Sequence, residues 1–550
     1  MQESVRKQVL KRHEGLKKER SSWETQWQDI AKHVLPSTGR FLSSERNRGD
    51  KQFNRILDNE ATRSVRILGA GMMGGASSPS SPWVKLAVFN ADQMQNHAVQ
   101  VWLDEVTRII HTIFYRSNVY PVLHAMYEEL AVYGTAACVM AVDYEDVVHL
   151  YPLTAGEYTI ATNYKGKVDT LYREFDKTVA QLVDEFGREA VSEQVRNLYD
   201  NGQYDEWITV IHAIEPRKTR DSKRKDNKNM PYRSVYLEKG AGGDKVLRES
   251  GFRHFPALCP RWQVSGGDIY GTSPAMEALG DIKQLQHQQL RKGQAIDYQT
   301  RPPLRLPISL KNREADMLPG GVVYADEQAA IQPLWQVGLD LNALAADMQQ
   351  VQQRIARAFY ADIFLAITQR DTQMTATEVA ERHQEKMMML GPVLERLQNE
   401  LFKPLVDFVF DVAFAGELFP PPPQELQGAE LDVQFVSILA QAQKEVQTKG
   451  VDRFVSSVAA MAQLKPEVLD RLDVDAWVDR YADALGVPPQ VIVAKDKADE
   501  TRAARAEAQA QQQQQAQVLQ MADAAQKLGN TPMGQGSALD GVVGGLSGTQ

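Results

Sequence analysis

The run Gly69-Ala-Gly71-Met-Met-Gly74 has the G-x-G-x-x-G spacing of a dinucleotide-binding turn, and it is the sharpest chemical lead in the sequence. That chemistry needs a strand before the glycines and a helix after them, so that a helix N-terminus faces the pyrophosphate. Here Arg55 to Leu68 reads as an amphipathic helix, and Ala76-Ser-Ser-Pro-Ser-Ser-Pro82-Trp83 reads as a loop. Close helix packing on small residues therefore explains the glycines better than a nucleotide does. The ten histidines show no H-E-x-x-H spacing and the two cysteines no C-x-x-C, so no zinc site is expected. There is no Walker A sequence and no G-x-S-x-G elbow. No catalytic, metal-binding or cofactor-binding residue is nominated, and no cofactor is expected. Met387-Met-Met389 has the softness of an adaptable interaction surface, although at helical spacing one or two of these side chains belong in a core.

The elements around these residues are long. Ser273-Pro274 is a helix start, because proline in the first turn loses no needed N–H and the serine caps. Met276, Leu279, Ile282, Leu285 and Leu290 then form a narrow apolar stripe, ended by Arg301-Pro302-Pro303. Leu341, Leu344, Met348, Val351, Ile355 and Phe359 repeat the spacing in a second helix. Thr375-Ala-Thr-Glu378 is a capping box opening a third, which runs through Val379, Met387, Leu390, Leu394, Leu397, Leu401 and Leu405. Kinks are expected at Pro392 and Pro404. Between the first two helices, residues 301–339 form a β-like insert with Leu318-Pro-Gly-Gly-Val-Val-Tyr324.

With 550 residues, of which 43% are hydrophobic and 24% charged, the chain is expected to be soluble and to hold about two to four domains. No apolar stretch approaches the ~20 residues that span a bilayer, and no secretory signal opens the chain. Only two cysteines occur, Cys138 and Cys259, both in apolar surroundings; so low a count excludes a disulfide framework and fits a reducing cytoplasm. Residues 1–70 carry 15 Lys/Arg and 9 Asp/Glu, a net of +6, which leaves −15 of the total of −9 for the rest. This basic segment is read as a solvated helix with mixed charges, or as one meeting nucleic acid or an acidic partner. Trp23, Trp27, Ile30 and Val34 give it an apolar stripe before Pro36. Helices and a strand around Cys138–Val142 follow, and then short alternating runs at Trp207–Ile214 and Tyr232–Leu237. The connector PRKTRDSKRKDNKNM between those runs is strongly basic and reads as a charged hairpin loop. Pro420 to Pro423 is a rigid connector, residues 501–528 an Ala/Gln-rich helix, and the last twenty or so residues a Gly/Ser-rich disordered tail.

Several segments together resemble one family. Trp23-Glu-Thr-Gln-Trp27 with Leu35-Pro36, Asp58 and LGAGMMGGASSPSSPWVKL resemble the N-terminal part of the head-to-tail connector (portal) proteins of short-tailed (podovirus) bacteriophages. Asp268-Ile-Tyr-Gly-Thr-Ser-Pro-Ala-Met-Glu-Ala-Leu-Gly-Asp-Ile-Lys283 is similar to that family's central signature. Met374-Thr-Ala-Thr-Glu-Val379 and Leu390-Gly-Pro-Val-Leu-Glu-Arg-Leu397 continue it. The likeness covers roughly residues 10–490 and leaves the C-terminal tail outside.

The resemblance implies a mostly helical α+β portal fold, twelve copies of which ring a channel at one capsid vertex for DNA packaging and ejection. By position it implies N-terminal helices and a β-rich wing over 1–267, stem helices at 268–300 and 340–366, and a clip at 301–339. A channel loop would follow at 367–374, a kinked wing helix and proline linker at 375–423, and a crown at 424–500. Gln369, Arg370, Thr372 and Gln373 would touch double-stranded viral DNA at the constriction without reading sequence, and the alternative for Arg370 is pairing with Asp371 or a neighbour. Lys283, Arg291 and Lys292 would face the lumen. The implied partners are the terminase large subunit, tail adaptor and tail tube proteins, and capsid and scaffolding proteins, with no membrane. The competing readings are a nucleotide-dependent enzyme using Gly69–Gly74 and a helical nucleic-acid-binding protein using the basic connector.

Overall fold

The computed structural model describes residues 4–41, 53–80, 82–88, 96–221, 223–224, 226–300, 304–305, 332–333, 340–368, 390–426, 431–435, 454–461, 465, 473–485, 487, 491–493 and 495–529. Two compact units divide the chain, one made of residues 1–94 and 102–447 and the other of 95–101 and 448–550. The architecture is α+β and mostly helical.

In the first unit, helix α1 (Val5–His33) opens with Ser4 as N-cap and lies on a five-stranded antiparallel sheet. The strands are β4 (Tyr158–Thr162), β5 (Val168–Thr178), β6 (Trp207–Pro216), β7 (Tyr232–Glu238) and β8 (Arg248–Phe252), in that order. Period-two alternation divides their side chains between two cores. Tyr172, Ile211, Ala213, Val235 and Leu237 meet Val9 and Leu16 of α1. On the opposite face, Val210 and Tyr236 meet Val179, Leu182 and Val195 of two short helices, α5 (Val179–Phe186) and α6 (Glu193–Asp200). The expected runs at 207–214 and 232–237 are thus adjacent strands of one sheet, with Ile211 opposite Leu237.

The basic N-terminal segment is solvated on one face of α1, where Lys7, Lys11, Glu14 and Lys18 are exposed, but not on the other. Arg6, His13 and Arg20 are buried in α1, because the sheet supplies each with acceptors. Arg6 Nη2 donates to the carbonyls of Glu238 (2.8 Å) and Ala241 (2.6 Å), and Arg20 Nη1 to Tyr158 (2.6 Å) and Gly156 (2.9 Å). His13 Nε2 lies 3.1 Å from Glu174, which also takes Lys17 and Lys239 at 2.5 Å each. Burial pushes the Glu174 carboxyl up, but its hydrogen bonds with His13, Lys17 and Lys239 overcome this and hold it well below the usual carboxylate range.

A second layer is helical. Helices α2 (Glu60–Ala76), α3 (His97–Arg116) and α4 (Val119–Tyr133) precede a three-stranded sheet. That sheet has the order β3 (Val147–Leu153), β2 (Ala137–Asp143), β9 (Ala257–Leu258). Helix α4 ends on Gly134 at φ +71°, and a Cβ there would come within 2.7 Å of three backbone atoms of Gly271 and Thr272. Only glycine permits both the left-handed turn and that approach, so the end of α4 is set against the entry to the next long helix. Trp27 packs its edge against Tyr133 and Tyr270 at the same junction.

Strand β1 (Val84–Val88) pairs antiparallel with β12 (Leu431–Phe435), which places residues 431–435, inside the expected crown, in the first compact unit. Of the β-like insert, the described residues are β10 (Leu304–Arg305) and β11 (Gln332–Pro333), which pair antiparallel; Leu318–Tyr324 lies outside the described residues. The capping box Thr375–Glu378 and Met387–Met389 also lie outside them.

In the second unit, helix α12 (Val474–Leu485) and the Ala/Gln-rich helix α13 (Lys495–Gly529) are joined by Arg502, whose two Nη atoms each donate to Asp475 at 2.6 Å. No helix among the described residues is long and apolar enough to cross a membrane, and these residues hold no cluster of three or more metal-ligating side chains.

Candidate functional site

Two helices dominate the segment singled out by the sequence. Helix α7 (Pro274–Thr300) starts as expected: Ser273 Oγ accepts the N–H of Met276 at 3.0 Å and donates to the carbonyl of Val132 at 2.8 Å. Helix α8 (Leu341–Ala358) is capped by Asp340, whose Oδ1 accepts the N–H groups of Asn342 (2.9 Å) and Ala343 (3.3 Å). Arg354 Nη2 reaches Asp281 at 2.9 Å, and Gln288 Nε2 reaches Asp347 at 2.5 Å. From the first bridge to the second, the position advances seven residues on α7 and retreats seven on α8. The helices are therefore antiparallel and in fixed register, with the bridges two turns apart. Ile282 and Leu285 of α7, and Met348, Val351 and Ile355 of α8, are buried as the spacing requires.

The hairpin is fixed to the rest of the unit by a polar node. Gln286 Oε1 accepts the N–H of Leu57 (2.6 Å) and of Asp58 (3.0 Å), and its Nε2 donates to the Asp58 carbonyl (2.8 Å). Gln352 of α8 donates to the Asp58 carboxylate at 2.8 Å. One loop residue thereby joins both helices to the start of α2.

Two expectations about these helices are corrected. Leu290 does not continue the buried stripe: it is 47% exposed, and Ile296 and Tyr298 beyond it are also uncovered. The second helix does not run unbroken to 366 either. It ends at Ala358, Tyr360 takes φ +55°, and a new helix α9 (Ala361–Thr368) begins. Left-handed backbone at a tyrosine is strained, costing about 1–3 kcal/mol, and persists where packing fixes it. Here Phe359 is fully buried, and the Tyr360 ring lies 6.1 Å from that of Trp262.

Helix α9 explains the glycine motif. All three glycines lie inside α2, with no strand before them and no helix N-terminus after them, so the pyrophosphate geometry is missing. A Cβ on Gly71 would sit within 2.7 Å of three carbons of the Phe364 ring of α9, and one on Gly69 would meet Glu128 Cγ of α4 at 3.1 Å. Gly74 faces open space. Two of the three glycines are therefore packing sites, and the nucleotide reading is removed.

The chain re-enters the described residues at Leu390. Helix α10 (Gly391–Leu397) leads through a π-turn (Gln398–Phe402) into α11 (Lys403–Ala415). Pro392 sits in the first turn of α10, where its missing N–H leaves no bond unmade, so it makes no kink among these residues. Pro404 follows the π-turn, and the wider turn absorbs the bond that proline cannot donate. Glu400 in that turn grips Arg261: it accepts Nη2 at 2.6 Å, Nε at 3.3 Å and the backbone N–H at 3.0 Å. Arg261 also donates to the carbonyls of Gly166 and Ile269.

Gln369, Arg370, Thr372 and Gln373 lie outside the described residues. The segment containing them is bounded by two joints, Phe364 on Gly71 and Glu400 on Arg261. Of the lysines and arginine assigned to the lumen, Lys283 pairs with Asp29 of α1, Arg291 is exposed and donates to Gln294 at 3.2 Å, and Lys292 is half-buried. Sequence reasoning missed Asp58, Gln286, Arg261, Glu400 and Phe364 as positioning residues. Asp58 stood in a quoted motif, but Arg261 and Glu400 are 139 positions apart in sequence and leave no local signal.

Comparison with known proteins agrees with the resemblance. Residues 6–493 match the family described as bacteriophage head to tail connecting protein. The chain is 50% identical over 551 residues to a probable portal protein of Bordetella phage BPP-1, covering 100% of this chain and 99% of that one. It is 40% identical over 548 residues to a portal protein of Salmonella phage epsilon15, covering 99% of each. A solved chain from the neck of the native gene transfer agent particle overlaps 77% of this chain and 92% of its own, at 11% identity and a TM-score of 0.35. The chain belongs to the bacteriophage head-to-tail connecting proteins, the portal proteins of tailed phages.

Proposed function

We propose that this chain forms a ring, of twelve copies as the resemblance implies, at one vertex of the virion capsid, and that double-stranded viral DNA passes through it during packaging and ejection. The observation that carries this reading is the family match across residues 6–493. The α7–α8 hairpin suits the stem: it is held rigidly to the unit at Asp58, while Leu290, Ile296 and Tyr298 stay uncovered within one chain and suit a neighbouring copy. A heterologous contact repeated around a closed rotation gives a ring with a central hole. Within it, Gln369, Arg370, Thr372 and Gln373 are proposed as the loop nearest the DNA, with Arg291 and Lys292 as lumen residues of the stem and Lys283 already engaged by Asp29. Residues 301–339 are proposed as the clip that takes the terminase large subunit and then tail adaptor and tail tube proteins. Capsid and scaffolding proteins surround the ring, which is made in the host cytoplasm and has no catalytic activity of its own.

Electron microscopy and native mass spectrometry of the purified chain test the ring directly, and a monomer or dimer under all conditions would overturn it. Deleting residues 367–373 is expected to leave rings intact while DNA packaging or retention falls. Loss of assembly would instead make that segment structural.

A further inference from the structure

The connector between β6 and β7 carries a charge that the stem, clip and loop assignments do not use. From Pro216 to Met230 it holds seven Lys/Arg and two Asp, a net of +5 in a chain whose total is −9. The hairpin is anchored at its root. Arg217 donates to Glu249 (2.8 Å) and to the Ser250 carbonyl (3.0 Å), and its N–H bonds the Pro231 carbonyl at 2.7 Å. Asn229 Oδ1 accepts the Asp221 N–H across the hairpin at 3.0 Å. The short turn at Asn227–Asn229 folds onto β8 so closely that a Cβ on Gly251 would come within 2.9 Å of Asn227, Met230 and Tyr232.

Beyond that root, Lys218, Arg220, Lys223 and Lys228 are exposed, and among the described residues none of their side chains has a hydrogen-bond or ion-pair partner. Arg253, also exposed and unpaired there, stands at the same end of the sheet, because Tyr232 is opposite Phe252.

We infer that this hairpin is a second DNA contact, apart from the channel loop, which binds the backbone of double-stranded DNA without reading its sequence. The inference rests on the reading that the chain handles double-stranded DNA. Three features select that partner. Unpaired cations on a preformed, solvent-facing root match a line of phosphates, where released counterions supply the affinity. Residues 217–231 contain no aromatic side chain to stack on unpaired bases, which disfavours single strands. Protein interface cores are depleted in lysine and built on apolar anchors, and the exposed part of this hairpin offers none.

The test uses the full chain with Lys218→Gln, Arg220→Gln, Lys223→Gln and Lys228→Gln combined, and fluorescence anisotropy on short blunt duplexes of two unrelated sequences. A matched control removes four exposed charges elsewhere, with Lys7→Gln, Lys11→Gln, Lys18→Gln and Lys32→Gln on α1. Each phosphate contact contributes ~0.9 to the slope of log affinity against log salt, so the hairpin variant should lose up to about 3.6 of that slope. Its low-salt affinity should fall at least about tenfold on both duplexes, with the control changed far less. An unchanged slope overturns the inference, as does an equal loss in the control. Loss of polyglutamate binding with duplex binding intact would also overturn it, by assigning the hairpin to an acidic protein. Ring formation is scored on the same samples: absent rings count against the portal reading, whereas unaltered duplex binding counts against the hairpin.

Discussion

Substituting alanine at Gly69, Gly71 and Gly74 in turn separates helix packing from a phosphate-binding loop, because the three sites meet different surroundings. At Gly71 the new methyl would overlap the Phe364 ring near its attachment to the backbone, where the ring cannot swing away. Overpacking of this kind costs up to about 3 kcal/mol, and exchanging a mid-helix glycine for alanine returns about 1 kcal/mol, a net loss of ~2 kcal/mol. At Gly74, with no atom within 4 Å, only the helix-propensity gain of about 1 kcal/mol remains. Gly69→Ala should be nearly neutral, since its 3.1 Å neighbour is the flexible Glu128 side chain. Native-state hydrogen exchange reads these changes locally in α2. A loss of ~2 kcal/mol speeds exchange about 30-fold in Gly71→Ala, and Gly74→Ala should slow it by up to about fivefold. In a Phe364→Ala background the sign at Gly71 should reverse, because the ring that opposes the methyl is gone. Unaltered exchange in Gly71→Ala, or equal losses at all three positions, would refute this account of the motif.

Arg261→Met leaves Glu400 largely buried without its main cation, and breaking such a pair costs about 3–5 kcal/mol. A lowered urea midpoint should be partly restored by adding Glu400→Gln, and no change would mean that the pair is not a joint. Glu174, held below its ordinary range, contributes stability that is fully present above its unfolded pKa of about 4.3 and lost as pH falls below that value. Unfolding midpoints of Glu174→Gln should therefore depend less on pH than those of the wild type from about pH 5 downward. Leu394→Ala, in the buried face of α10, should cost about 2–5 kcal/mol by the same urea measurement, and a neutral result would show that this face has been misplaced.

What the sequence made legible was local. Ser273-Pro274 carries its own capping signal, and the apolar run in 207–214 becomes strand β6, buried continuously from Val210 to Ile214 because both faces of that sheet are covered. The burial of Val351, Ile355 and Phe359 follows from spacing alone. The break at Tyr360 was not legible, since Ile363 and Phe364 continue an apolar pattern across it and a change of one backbone angle leaves no mark on periodicity. Leu290 misled for the converse reason: spacing places a side chain on a face, but only the neighbouring helix decides where coverage ends. Pro404 announced an irregularity and not its form. Arg6, His13 and Arg20 read as surface charge because the carbonyls that receive the arginines and the Glu174 carboxylate beside His13 lie more than a hundred residues away.

The same distinction governs how the candidate channel loop can be tested. Residues 369–389 connect a steric joint, Phe364 against Gly71, to an ionic one, Glu400 against Arg261, and both joints belong to one compact unit. Among the described residues, the steric joint is made by Gly71 and Phe364 and the ionic one by Arg261 and Glu400, so changes in the loop and changes in its anchors should separate experimentally. Loop substitutions at Arg370 or Gln373 would alter DNA passage with unfolding midpoints unchanged. Substitution at Gly71 or Arg261 would lower stability first, with DNA passage falling only as the anchors loosen. A loop variant that destabilised the unit as strongly as Arg261→Met would mean that the loop is part of the core, and its assignment to the channel would then have to be abandoned.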